Sequence, residues 1–238
     1  MLIFGDARLP QPTKQKLSAV GTFVPFMTEN LVYEAIAGHP DIFFCQDGNK
    51  LVVAPNLPEK YFHLLKQHSI SFTKGVSALK NKYPGTARYN AVVSKRYLIH
   101  HPTLSDPELL NTFKEKKVIP VKQGYVRCNL LPLKNEVFIT SDKGILKALQ
   151  KASLEVHYFS PEGIYLQGFQ HGFLGGCLGL LNDTIFITGR LSTYPEGKRL
   201  SHLLTGLGYR IEELHDGPLV DGGGIFFFEE NKKAGKPE

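Results

Sequence analysis

The chain lacks the features that announce several specialised classes. Its three cysteines, Cys45, Cys128 and Cys177, are odd in number and far apart, with no CxxC pair. No disulfide framework follows from them, and with no export signal they read as reduced thiols in a cytoplasmic protein. No apolar run approaches the ~20 residues a membrane helix needs. The apolar start, Met1 to Phe4, soon meets Asp6 and Arg8, so it does not read as a secretory signal. There is no GxxxxGKS/T phosphate loop, and Gly172 to Gly176 with Gly179 run into an expected strand, so a nucleotide site is unsupported. His100 and His101 are adjacent and would point to opposite faces of a strand. No HxxxH pair occurs, and neither a metal centre nor a cofactor is expected.

What is present suits a globular domain: 238 residues, 42% hydrophobic, 21% charged, net charge +6. That is enough apolar material for a sizeable core. The basic residues are scattered. Their clusters, Lys114 to Lys117 and Lys232 to Lys236, read as a helix end and a solvated tail, so no nucleic-acid or membrane partner is expected.

The most informative property is an internal repeat. Asn56-Leu57-Pro58-Glu59, Ser105-Asp106-Pro107-Glu108 and Thr193-Tyr194-Pro195-Glu196 share a helix-start pattern, with Leu9-Pro10-Gln11 as a looser copy. The Asn, Ser or Thr would cap the helix, Pro suits its first turn, and Glu closes a capping box. The prolines recur at near-even steps with one double step. Ser141-Asp142-Lys143-Gly144, without Pro or Glu, opens the helix that fills it.

Before each helix the sequence predicts a hairpin: 42–46 with 51–54, 91–93 with 97–100, 129–133 with 137–140, and 178–181 with 185–188. After each it predicts a strand: 70–73, 118–121, 154–159 and 209–214. That makes four β-β-α-β units. The termini supply the fifth, with 224–228 pairing 1–6, followed by a helix at Pro10 and a strand at 22–24. The expected fold is α/β: a five-fold pseudosymmetric α/β propeller occupying 1–238 as one domain, its ring closed by the N- and C-terminal strands. The competing reading is an open α+β domain.

Five such units in a ring resemble the pentein fold of guanidino-group-modifying enzymes: arginine deiminases, amidinotransferases and dimethylarginine dimethylaminohydrolases. Gly38-His39-Pro40-Asp41, Lys122-Gln123-Gly124-Tyr125, Ser141-Asp142-Lys143-Gly144 and Gly172-Phe173-Leu174-Gly175-Gly176 also look like an uncharacterised bacterial family placed in that fold.

The resemblance implies that the segments entering each first strand converge: 39–41, 87–90, 122–128, 171–177 and 221–224. It implies a Cys nucleophile in the last of these, where this chain has Gly222-Gly223-Gly224. It implies a His in the third, which here reads Gln123-Gly124-Tyr125. The second-unit Asp corresponds to Asn90, and the first-unit acid persists as Asp41. The usual covalent mechanism is therefore not expected.

The expected function is binding of a small cationic, guanidino or amino-acid-like metabolite in a central polar pocket. Asp41 would hold the cation. Asn90, Gln123, Tyr125 and His171 would give neutral contacts, with His39, Lys122, Asp142 and Asp221 nearby. If there is catalysis, its candidates are His171, Asp41, Asp221 and Cys128. Arg127 and Lys122 could lower the Cys128 pKa, although core packing is the favoured reading for a cysteine there. The helix start at Asp142 could hold an anion, or Ser141 could simply cap it. Two alternatives remain: a non-covalent guanidino or amidino hydrolase or lyase, and a non-catalytic ring protein of the ribosome anti-association type.

Overall fold

The computed structural model describes residues 1–230; the basic tail at Lys232 to Lys236 lies outside them. Its strands form five three-stranded sheets of one topology, plus a two-stranded sheet. The first unit orders Phe44–Gln46, Leu51–Val53 and Thr73–Lys74, and the second Val92–Val93, Tyr97–His100 and Lys117–Pro120. The third orders Leu130–Pro132, Phe138–Thr140 and Val156–Tyr158, and the fourth Leu178–Leu181, Thr184–Ile187 and Arg210–Glu213. In each the first pair is antiparallel and the second parallel. The parallel step is bridged by a helix: Glu59–Gln67, Pro107–Thr112, Lys143–Lys151 or Gly197–Gly206.

The fifth unit takes its first strand from the C-terminal segment. Phe226–Phe228 pairs antiparallel with Leu2–Asp6, register Leu2↔Phe228. Leu2–Asp6 then pairs parallel with Thr22–Phe26 across the helix Gln11–Val20. No sheet closes on itself among the described residues; the units meet through side chains and through single backbone hydrogen bonds such as Ile225 N to Leu178 O at 3.3 Å. Phe4 lies in edge or tilted contact with Phe26, Phe44, Tyr61 and Phe228, at 5.3–6.0 Å between ring centroids. These rings join the terminal unit to the first. Residues of all five first strands, among them Phe44, Val92, Leu131, Leu180 and Phe226, line one cavity of about 390 Å³.

The turns explain the hairpins. Asp47 Oδ1 accepts from the backbone N–H of Asn49 and Lys50, and Gly48 takes φ +93°. Asn135 and Asn182 occupy the left-handed region that Asn tolerates. Glu136 accepts from Ser94 Oγ at 2.7 Å and Arg96 N at 3.0 Å, clipping the third hairpin to the second.

The expected caps need correction. Asp106, not Ser105, caps its helix by accepting from Glu108 N, and Asp142, not Ser141, caps the next by accepting from Ile145 N. Asn56 instead clamps Leu79 through both its N–H and C=O, and Thr193 bonds the carbonyls of Arg190 and Gly217. At Pro107 the residue directly before the proline is the one in the capping position. Several strands are also shorter than expected, because the chain enters them through tight turns. Cys128 and Cys177 lie in such turns, Val126–Asn129 and Leu174–Cys177, rather than in strands. The helix Pro107–Thr112 ends before Lys114, and Lys117 already belongs to a strand.

The parallel pair Ile164–Tyr165 with Leu219–Val220 was not expected. No helix among the described residues is long and apolar enough to cross a membrane. The Phe4 contacts give an expected outcome. Phe4→Ala, at a fully buried site, should cost about 3–5 kcal/mol, read as a lower urea midpoint with unchanged slope.

Candidate functional site

Each segment entering a first strand is held by a short turn or a cross-link to its neighbour. His39 is extended, as a residue before proline must be, and leads into the turn Pro40–Ile42. Asp41 N donates to Gly223 O at 3.2 Å, joining the first and fifth entries. The small sheet holds the other two ends: Gly172 N donates to Ile164 O and Asp221 N to Tyr165 O, both at 2.9 Å.

Asn90 is the hub of what these turns bring together. Its Nδ2 donates to Asp41 O at 3.1 Å and lies 3.2 Å from Cys128 Sγ. Its Oδ1 accepts from Arg127 N at 2.6 Å and Cys128 N at 3.3 Å. The Cys128 thiol donates to Asp41 Oδ2 at 2.8 Å. Asp41, Asn90 and Cys128 are all buried.

Beside them, Asp221 accepts from Phe173 N at 2.8 Å and Gly223 N at 3.0 Å. His39 stands between two carboxylates, Nδ1 3.9 Å from Asp221 and Nε2 3.8 Å from Asp6. Both separations exceed a hydrogen bond. Neither ring nitrogen, nor Asp41 Oδ1, has a hydrogen-bond partner among the described residues. Asp6 is itself engaged by Arg8 at 2.6 Å. A cavity of about 210 Å³ opens here, with His39, Asp6, Asp221, Tyr165 and Gln167 in its wall.

Burial governs the electrostatics. It pushes the Asp41 carboxyl up from 3.8 to about 6, with nearby His39 pulling back down and Asp221 pushing further up. Asp221 also shifts up by burial. Burial drives the Cys128 thiol well above its ordinary value, and the Asp41 and Asp221 charges add to that. Lys122 is exposed, and burial with the Asp41 and Asp221 charges opposes any lowering of the Cys128 pKa by Lys122 and Arg127. Cys128 is a thiol donor here, not a thiolate. Among the described residues, no three His, Cys, Asp or Glu side chains are placed to hold a metal ion.

The structure thus gathers His39, Asp41, Asn90, Cys128 and Asp221. The Tyr125 hydroxyl instead pairs with Tyr33 at 3.2 Å and Thr86 at 2.5 Å. Gln123 supports Tyr125 through its backbone N–H and donates to Asp142 Oδ2 at 2.9 Å. Asp142 fills its helix start with its own carboxylate, which leaves no anion site there. His171 bonds the carbonyl of Gly172 and packs against Phe173, within its own loop.

Sequence reasoning missed Asp6 and Tyr33 and gave Arg127 only a minor part. A charge closing the apolar run Leu2 to Gly5 was the available signal for Asp6.

The glycines here are required by space. A Cβ at Gly176 would overlap Asp221 Oδ1, and one at Gly172 would come within 2.5 Å of Asp221 Cβ. Gly176→Ala should cost roughly 1–3 kcal/mol. In chemical denaturation the double variant with Asp221→Ser should lose less than the sum of the two single losses.

Structures of three proteins share this fold. One is a cysteine-to-serine variant of DDAH from Pseudomonas aeruginosa complexed with citrulline: TM-score 0.51, 8% identity, covering 90% of this chain and 91% of that one. A second is SxtG, an amidinotransferase from Microseira wollei in the saxitoxin biosynthetic pathway: 0.53, 13%, and 93% of both chains. A third is AgrE in a ternary complex with ornithine and NAD+: 0.51, 10%, and 90% of this chain against 32% of that one. Identities this low establish the pentein fold alone. Among curated proteins none matches the sequence. A family model matches residues 4–226, and the chain belongs to the family described as "Family of unknown function (DUF6873)".

Proposed function

We propose that this protein binds a small cationic metabolite of the guanidino or amino-acid type at the meeting of the five entry segments. The units form one domain, with their sheets as five blades around a common axis. The observation that carries the reading is the pair of buried carboxylates, Asp41 and Asp221: Asp221 and His39 stand in the wall of the 210 Å³ cavity, and Asp41 belongs to the adjoining cluster. Their raised pKa values mean that the surrounding protein groups under-compensate their charge. A ligand cation would supply the missing compensation. That the structural neighbours include a citrulline complex and an ornithine complex supports the ligand class.

The usual covalent step is not part of this proposal. Gly223 and Gly224 stand at φ +69° and +77°, and a Cβ at Gly223 would overlap His39, so these two positions do not suit a nucleophilic side chain. Cys128 is held protonated against Asp41. Any reaction at this site would draw on Asp41 as a proton acceptor with a pKa near neutrality.

Thermal unfolding with arginine, agmatine and citrulline tests the reading. At a hundredfold excess over Kd, a bound cation should stabilise by about 2.7 kcal/mol, which raises Tm by roughly 5–10 °C for a chain of this size. Agmatine and arginine should do so above pH 6 and lose the effect below pH 5, as Asp41 takes up its proton. Asp41→Asn should abolish it. Failure of every cation to stabilise the parent, with Asp41→Asn behaving like the parent in a wider metabolite screen, would refute the site.

The free protein gives a second expectation. Because the folded-state pKa of Asp41 is raised, native protein holds a proton that the unfolded chain has lost. Stability is then fullest below pH 4 as far as this group is concerned, and falls as pH rises through about 6. Chemical denaturation from pH 4 to 7 should show a smaller decline in Asp41→Asn than in the parent.

A further inference from the structure

The 390 Å³ cavity lies among the first strands and is separate from the site above; its wall contains neither Asp41, His39 nor Asp221. Arg127 reaches its wall. The guanidinium donates to Gly175 O at 2.7 Å and Leu178 O at 3.0 Å, and its carbon sits 5.4 Å from the centre of the Phe226 ring. Those two acceptors are neutral carbonyls. No carboxylate among the described residues lies within ion-pair distance of Arg127, and its remaining N–H donors have no protein acceptor among them. An arginine presents five donors in a planar fork that matches a carboxylate.

The rest of the wall says which anion fits. Phe226, Ile225, Leu131 and Leu180 give it an apolar side, while Gln46, Asn49 and Asn182 add neutral polar groups. The Asp47 carboxylate is already occupied by two backbone N–H groups and by Lys116 Nζ at 3.3 Å. Glu229, exposed in the same wall, adds a negative charge that disfavours a dianion.

We propose that this cavity is a second ligand site, for a small monocarboxylate with an apolar body, with Arg127 as the anion-binding residue. The carboxylate pairs with the free edge of the guanidinium, and its apolar part lies against Phe226, Leu131 and Leu180. The proposal does not rest on the cation reading, although the Arg127 charge also acts on Asp41 and Asp221.

Calorimetric titration of the full chain with phenylacetate and with its neutral isostere phenylacetamide tests it. The carboxylate should bind saturably, and the amide at least tenfold more weakly. Inorganic phosphate should not compete. Arg127→Gln should weaken phenylacetate at least tenfold. Leu180→Trp fills the cavity and leaves Arg127 in place, so it decides the matter should Arg127→Gln fail to fold; it too should weaken binding at least tenfold. The proposal is overturned if phenylacetate does not bind, if the amide binds equally well, if phosphate displaces it, or if Leu180→Trp binds it as the parent does.

Discussion

Two carboxylates, Asp41 and Asp221, are withdrawn from water where the entry segments of the units meet. The arrangement around them follows from the cost of that burial. An isolated buried carboxylate is several kcal/mol worse off than in water unless dipoles and opposite charges reach it. Asp221 is met by the backbone N–H groups of Phe173 and Gly223. Asp41 is met by a thiol, which offers less. The segments around these groups also pack closely against one another. Gly172 and Gly176 against Asp221, Gly38 against Asp6, and Gly223 against His39 are positions where a side chain would overlap its neighbour. Three of these glycines, Gly172, Gly176 and Gly38, are thus required by the space that a buried acid occupies.

Arg127 is the long-range counterweight. Its charge favours ionised Asp41 and Asp221, and theirs favours its own charged form against the desolvation that lowers its pKa. Its backbone N–H is held by Asn90 beside the carboxylates, while its guanidinium reaches the cavity among the first strands. One residue therefore belongs to both environments. A charge placed in either cavity alters the balance in the other, and by linkage that influence is reciprocal.

The repeat made the topology legible. Proline at the start of four helices and paired apolar runs before each one located every unit, including the one completed by the two termini. The caps were less legible, because Asp106 and Asp142 sit beside equally suitable serines and only backbone geometry chooses between them. The sheet Ile164–Tyr165 with Leu219–Val220 has two residues per strand, too few for any periodicity to register. At the site, His39, Asp41, Asn90 and Asp221 were legible because their segments enter first strands. His171 and Lys122 lie in the same segments yet do not join the cluster. Position in a loop does not determine the direction of a side chain, and the first of them is held by its own loop while the second stays in solvent. Asp6 escaped notice because it ends a strand rather than preceding one.

Asn90 shows why a departure from a family pattern need not be a loss. The amide uses its two ends differently, accepting from two backbone N–H groups while donating to Asp41 O and lying against Cys128 Sγ. An ionised carboxylate at this position has no donor to offer. It would leave Asp41 O unbonded and set a third buried negative charge close to two whose pKa values are already raised. With Cys128 protonated and Asp41 its acceptor, the neutral side chain is the one the surroundings can satisfy. Asn90, Cys128 and the glycines at 222–224 therefore form a consistent set. Each avoids a further buried charge or a side chain for which there is no space, and Asp41 is left as the group whose charge state a ligand can change.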